Sequence, residues 1–216
     1  MKIGTDSMIL GALLHKSKFK KVLDIGSGTG VLSLMYAQQN KEVDIISIEI
    51  DQLSAEELKI NFLNSPFKER LHSVHGDFLT YSFETKFDFI FSNPPYFESD
   101  LLSFKKNKNR VRHNLTLPVD LMFKKIDSLL EINGFFQCII PVHLLLKYEM
   151  EAKKVSFFIN EKISIFAKEN KLIRYILIFS RSQNIVIESQ VVIRQDNNQY
   201  TTDYIQLTEE FHGKSL

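Results

Sequence analysis

The tetrapeptide Asn93-Pro94-Pro95-Tyr96 stands directly behind the apolar run Phe87-Asp88-Phe89-Ile90-Phe91. Its residue types suit chemistry at a planar amino nitrogen. The lone pair of such a nitrogen is delocalised into its ring or carbonyl, so the atom is a poor nucleophile. The Asn93 side-chain oxygen and the Pro94 carbonyl can each accept one of its N–H bonds. Together they fix the group and favour a lone pair aimed at an electrophile such as a sulfonium methyl. Two prolines stiffen the backbone that presents the carbonyl, and Tyr96 offers an aromatic face on which a base can stack. Transfer is then an in-line displacement governed by positioning, with no strong general base and no metal required. The same tetrapeptide serves glutamine amides, guanine N2, cytosine N4 and adenine N6. It defines the nitrogen and leaves the substrate open.

A second motif supplies the other reactant. In Asp24-Ile25-Gly26-Ser27-Gly28-Thr29-Gly30 the glycines allow a sharp turn and close approach of backbone to a ligand, and the helix predicted to start behind them offers free N–H groups. The nicotinamide fingerprint G-x-G-x-x-G does not fit, because position 31 is Val and the third glycine comes one residue early. Asp24, two residues before the first glycine, matches motif I of methyltransferases, where the acid faces the cationic methionine end of S-adenosylmethionine. About 20 residues on, Glu49 closes the next strand, where α/β cofactor sites keep an acid for ribose hydroxyls. Ile50 then lies against the adenine face. Asp51 competes for the ribose role but reads better as a helix cap. Asp77 ends a third strand and is placed to accept from the adenine amino group, with Phe78 beside the ring; as a lone residue it reads equally well as a turn Asp.

A basic run follows the tetrapeptide. No acidic residue lies between Asp100 and Asp120, and the interval holds Lys105, Lys106, Lys108, Arg110, Arg112 and His113. A basic loop beside a base pocket fits phosphate contacts, although for any single lysine a solvated surface explains as much. Arg174 begins an otherwise apolar strand, a position that packing alone does not explain.

These residues need a frame. Strands are expected at Val22–Ile25, 43–50, 71–75, 87–91, 135–140, 162–167 and 175–179, and helices at 31–37, 54–64, 117–131 (stopped by Asn133-Gly134) and 143–155. Strand–helix alternation implies a doubly wound α/β fold, with a mostly parallel seven-stranded sheet covered on both faces. The glycine loop, the three acids and the tetrapeptide all fall at the carboxyl edge of that sheet, where open α/β folds bind ligands. The tail is β-rich over Ile185–Ile193, turns at Asp196-Asn197-Asn198-Gln199, and predicts a small C-terminal β element packed on the sheet. One domain results: an N-terminal segment over 1–19 that covers the cofactor, a core over 20–182 and an appendage over 183–216.

Composition agrees. The 216 residues are 44% hydrophobic and 25% charged with a formal net charge of +1, enough for one core. Global charge does not announce a nucleic-acid partner, so any basic footprint must be local. The single cysteine, Cys138, lies in an apolar run and reads as a small buried hydrophobe. No stretch approaches the ~18 apolar residues of a membrane span, and nothing resembles a signal peptide. A cytoplasmic monomer is expected.

Beyond its motifs, the chain resembles, nearly end to end, the bacterial family that N6-methylates adenosine 37 of a valine tRNA. The resemblance rests on Met1-Lys2-Ile3-Gly4-Thr5-Asp6-Ser7-Met8-Ile9-Leu10-Gly11, on Leu23 to Gly30, on Ser92-Asn93-Pro94-Pro95-Tyr96-Phe97, on Arg112 with Leu115-Thr116-Leu117, and on the tail from Val192 to Thr201. It implies a class I fold, S-adenosylmethionine as cofactor and the anticodon loop of tRNA as partner. By the same resemblance Lys2 and Thr5 lie near the methionine end of the cofactor, and Arg112 and Arg174 near the RNA. Two departures stand out. Family members usually carry residues upstream of the Met1–Asp6 segment, where a strand could help close the cofactor pocket. His113 stands where tyrosine is common, which makes stacking there weaker and pH-sensitive.

Overall fold

The computed structural model describes residues 4–94 and 117–211. Eight strands form one sheet in the order β3-β2-β1-β4-β5-β7-β6-β8. They are β1 (Lys21–Ile25), β2 (Asp44–Glu49), β3 (Leu71–His75), β4 (Phe87–Ser92), β5 (Leu130–Pro141), β6 (Phe158–Phe166), β7 (Leu172–Ser180) and β8 (Ile187–Val192). β1 to β5 run parallel. β7 is antiparallel to both β5 and β6, and β8 pairs parallel with β6. The mostly parallel α/β architecture is as expected: seven strands, to which the C-terminal β element adds an eighth. The C-terminal β element extends the sheet at its edge instead of lying on a face.

Side-chain alternation, interrupted by the irregularity between Phe87 and Phe89, divides the core in two. On β4, Phe89 and Phe91 join the face that carries α1 (Thr5–Ala12), α2 (Val31–Gln39), α3 (Gln52–Leu63) and α6 (Thr202–Thr208). Phe87 and Ile90 join the other face, under α4 (Val119–Leu129) and α5 (Leu145–Lys154). A central parallel strand is covered on both sides and so must be apolar throughout, which accounts for Phe89, Ile90 and Phe91 all being fully buried. Cys138 is also fully buried, on the α4 side, and desolvation raises its thiol pKa.

Three local features depart from the sequence reading. Helix α1 was not expected; its residues Met8 to Ala12 are all buried, so no polar face marks it. Gly11 permits the close approach of α1 to α2, because a Cβ there would collide with the Met35 sulfur. Second, α4 ends at Leu129 and β5 begins at once. Asn133-Gly134 is therefore not a helix stop. Gly134 lies in β5 where its register with β4 shifts, and a Cβ there would come 2.9 Å from the Asp88 carbonyl oxygen. Third, the polar tail after residue 200 holds α6, capped by the Thr201 hydroxyl accepting from Tyr204 N–H at 3.1 Å. The Asp196–Gln199 turn is present, with Asn198 in the left-handed region at φ 67°.

Candidate active site

The sheet order puts β1 and β4 side by side, with Ile25 paired to Ser92. The chain turns outward in opposite directions on the two sides of this point, which makes it the switch point of the fold. The Ser92 hydroxyl locks the two ends together by donating to the Ile25 carbonyl at 2.9 Å. The glycine loop and Asn93 therefore emerge next to each other, one strand spacing (~4.8 Å) apart.

The loop is stitched to the end of β2. Gly26 and Ser27 N–H both donate to the Ile48 carbonyl, at 2.9 and 3.1 Å. Gly26 has φ 67° and Gly30 has φ 87°, a region that costs an L-residue energy. At Gly26 a side chain would meet no steric obstacle, so the dihedral alone calls for glycine. At Gly30 a Cβ would also come 2.5 Å from Leu58 and 2.6 Å from Phe62, so α2 starts hard against α3.

Glu49 is 8% exposed, and its carboxylate is fixed by two backbone donors: Gly28 N–H on Oε2 at 2.7 Å and Asp51 N–H on Oε1 at 2.8 Å. Each oxygen keeps a lone pair for a diol. Asp51 caps α3, accepting from both Ser54 N–H and the Ser54 hydroxyl; those bonds lower its pKa. This is the cap role weighed for it against the ribose role. Ile50 is 40% exposed beside Glu49. Gly76 N–H donates to the Glu49 carbonyl, which carries the line of acids on to Asp77. There the turn reading holds for one oxygen, since Oδ1 accepts from Leu79 N–H at 2.9 Å. Oδ2 has no protein partner among the described residues. Phe78 packs into the core on the α4 side.

Asp24 lies beneath the loop and is fully buried. The Ser33 hydroxyl donates to Oδ2 at 2.7 Å and lies 2.7 Å from the Ser47 hydroxyl. Oδ1 has no hydrogen-bond partner among the described residues. Burial raises the carboxyl pKa to about 7, with Ser33 opposing and the nearby Glu49 charge adding to the rise. A buried, half-paired carboxylate under a glycine loop fits a ligand that brings a cation, because opposite charge restores the ionised form. Glu49 and Asp77 fit hydroxyl and amino donors. These three acceptors therefore suit S-adenosylmethionine at all three of its polar regions.

Asn93 lies within reach of α1, and its Nδ2 donates to the Ser7 hydroxyl oxygen at 3.1 Å. Pro94 is buried beside it. Thr5 opens α1 two residues before Ser7. Arg174 is found in an ion pair: Nε donates to Asp6 Oδ2 at 2.9 Å, and Nη1 donates to the Ile173 carbonyl. Asp6 thus supplies the reason for an arginine in this strand. Lys2, Pro95, Tyr96, Lys105, Lys106, Lys108, Arg110, Arg112 and His113 lie outside the described residues. Sequence reading missed Asp6, Ser7, Ser33 and Ser47. Only Ser33 and Ser47 left a hint, as hydroxyls on otherwise apolar elements.

The strand order, the glycine loop against β2 and the edge-aligned acids define a class I S-adenosylmethionine-dependent methyltransferase. Among solved structures, a predicted O-methyltransferase of Agrobacterium tumefaciens superposes with a TM-score of 0.73 at 14% identity, over 95% of this chain and 96% of that one, which bears on the fold alone. The chain belongs to the methyltransferase small domain family, which matches residues 2–152, and to the tRNA1(Val) (adenine(37)-N6)-methyltransferase family of its nearly full-length relatives. A relative with that name from Aliivibrio fischeri is 37% identical over 213 residues, spanning 98% of this chain and 91% of its own length. Another from Bacteroides thetaiotaomicron is 32% identical over 214 residues, spanning 98% and 90%.

Among the described residues, no helix is long and apolar enough to cross a membrane, and no group of three or more His, Cys, Asp or Glu is placed to hold a metal.

Proposed function

We propose that this chain methylates N6 of an adenosine in tRNA, at position 37 in the anticodon loop of a valine tRNA, and that it does so in the cytoplasm as a monomer. The observation that carries this reading is the pairing of Ile25 with Ser92. It sets the residue that would hold the amino group beside the loop that would hold the methyl donor. The names of the relatives supply the substrate.

Bound S-adenosylmethionine supplies a methyl carbon activated by positive sulfur. Asp24 would pair with the cofactor's ammonium, Glu49 would take its ribose hydroxyls, and Asp77 would take its adenine amino group. Asn93 Oδ1 and the Pro94 carbonyl each accept one N–H of the target base, and Tyr96 stacks on it. With the cofactor bound, Asn93 and Pro94 would aim the N6 lone pair in line at the methyl carbon that the sulfonium makes electrophilic. The amino group then gives one proton to water. Neither Asn93 nor a carbonyl is a strong base, so their contribution is orientation. A base in an anticodon loop is already single-stranded, which makes its extrusion cheap. Lys105, Lys106, Arg110, Arg112 and His113 are proposed to hold the RNA, with Arg174 contributing the part of its guanidinium that Asp6 and Ile173 do not occupy.

Tritiated S-adenosylmethionine and tRNA lacking the modification, digested to nucleosides, test this reading. Label in N6-methyladenosine is expected, with a loss of about 100-fold or more in Asn93→Ala. Label in a guanosine derivative would refute it.

A further inference from the structure

Asn93 can do its proposed work in only one of two amide orientations. With Oδ1 toward the substrate it accepts an N–H of the target amino group. Turned by 180° about its last torsion it presents its own NH2, and two donors face each other. An amide oxygen and nitrogen have nearly the same shape, so packing barely distinguishes the two states. A hydrogen-bond partner with a fixed position on the far branch is needed to hold the amide with Oδ1 toward the substrate.

We infer that Ser7 is that partner, a positioning residue that sets the Asn93 amide by accepting from Nδ2, so that Oδ1 on the opposite branch is free to accept from the substrate. This rests on the reading of Asn93 given above and names a residue that neither motif contains. The contact is 3.1 Å long and joins residues 86 positions apart.

Its value depends on how firmly Ser7 is held, because a site loose by ~1 Å loses most of what positioning gives. Helix α1 is held on three sides. Ile9 and Leu10 are fully buried in the core. Gly11 brings the helix axis down on Met35. In the first turn, Asp6 pairs with Arg174 of β7 at 2.9 Å. Arg174 is in register with Pro141, the last residue of β5, and Asn93 follows the end of β4. The first turn of α1 therefore bridges from β7 to β4 across the end of β5. It is anchored to the sheet at one side by Asp6 and reaches Asn93 at the other through Ser7. A hydroxyl on this rigid turn holds a fixed place from which to accept the Asn93 Nδ2–H, whereas a water in that place would be free to move with the amide.

The test compares Ser7→Ala, Ser7→Thr and wild type in full-chain protein. Ala is a good helix former, so the substitution removes the acceptor and keeps the helix. The expected result for Ser7→Ala is a fall in kcat of roughly three- to tenfold, the range of one neutral hydrogen bond. Cofactor Kd by calorimetry and Tm should be unchanged, and Ser7→Thr, which keeps the oxygen, should restore most of the rate. Wild-type kcat in Ser7→Ala would overturn the inference. So would a rate loss matched by a loss of Tm or cofactor affinity and not rescued by Thr, which would make Ser7 a structural residue. The comparison is made on whichever nucleoside the wild type labels. A guanosine product would thus refute the adenosine assignment while the Ser7 result still stands or falls by itself.

Discussion

Asp24→Asn should make the protein more stable above neutral pH and worse at binding its cofactor. In the folded chain the carboxyl has a pKa of about 7, against an ordinary value of 3.8. Such a group binds its proton more tightly folded than unfolded. Its contribution is fully favourable below pH ~4, is lost progressively as pH rises towards 7, and is constant above that. A gap of about three pH units, at roughly 1.4 kcal/mol each, amounts to about 4 kcal/mol at pH 8. Asparagine avoids that cost but turns an NH2 donor towards the place where Oδ1 has no partner, which costs ~1–3 kcal/mol. A net gain of about 1–3 kcal/mol remains at pH 8. The pH dependence does not involve the amide penalty. Between pH 8 and pH 5 the advantage of the variant should shrink by roughly 2–3 kcal/mol, or about 5–10 °C in relative Tm for a chain of this size. Scanning fluorimetry of both proteins without cofactor reads this, and calorimetry with S-adenosylmethionine should show weaker binding by the variant. A Tm difference that is the same at pH 5 and pH 8 would refute the reasoning, because the buried carboxyl would then not be titrating in this range.

Glu49→Gln replaces a double acceptor with a group whose NH2 must face either Gly28 N–H or Asp51 N–H; cofactor Kd should rise by about 10- to 100-fold, measured by calorimetry, and an unchanged Kd would remove Glu49 from the site. Gly30→Ala combines left-handed strain with contacts under 3 Å to Leu58 and Phe62; it should cost ~2–4 kcal/mol and lower Tm by roughly 5–15 °C. Asp6→Asn weakens a half-exposed ion pair worth ~1 kcal/mol or less, so Tm should fall by only about 1–4 °C. Because the guanidinium of Arg174 is released, tRNA affinity by anisotropy should not fall; a fall would show that the pair itself serves the RNA.

The parts of the site that sequence made legible are those in which one short segment carries both the geometry and the chemistry. Gly26, Gly28 and Gly30 announce a loop because only glycine adopts those dihedrals cheaply. Asn93 and its prolines announce an amide with a rigid neighbour. The spacing from the loop to Glu49 works because one βα unit has a narrow range of lengths. Helix α1 was illegible because burial along Met8 to Ala12 erases the 3.6-residue period on which amphipathic reading depends. The early start of β5 was illegible because Glu131, Ile132 and Asn133 are exposed, and a register shift against β4 absorbs the polar stretch. The β element over 185–193 was legible, but its place as an edge strand beside β6 was not, since β8 buries little on either face.

Arg174 shows the same limit from the other direction. An arginine in the run Ile173-Arg174-Tyr175-Ile176 is anomalous if packing is the only consideration, and proximity to the site edge makes RNA the natural explanation. The anion it meets in the structure is Asp6, 168 residues away in the same chain. A guanidinium already paired with a carboxylate presents a weaker field to a phosphate, so any hold of Arg174 on RNA would rest on the part of its guanidinium that Asp6 and Ile173 leave unoccupied. What the pair does accomplish is mechanical: it fastens the turn that carries Ser7. On the proposed function, charge at the edge of the site would do two separable jobs, orienting the reacting amide from within and drawing the nucleic acid from without. A loss of activity in Arg174→Ala alone cannot distinguish them, whereas the opposite expectations for tRNA affinity in Asp6→Asn and Arg174→Ala can.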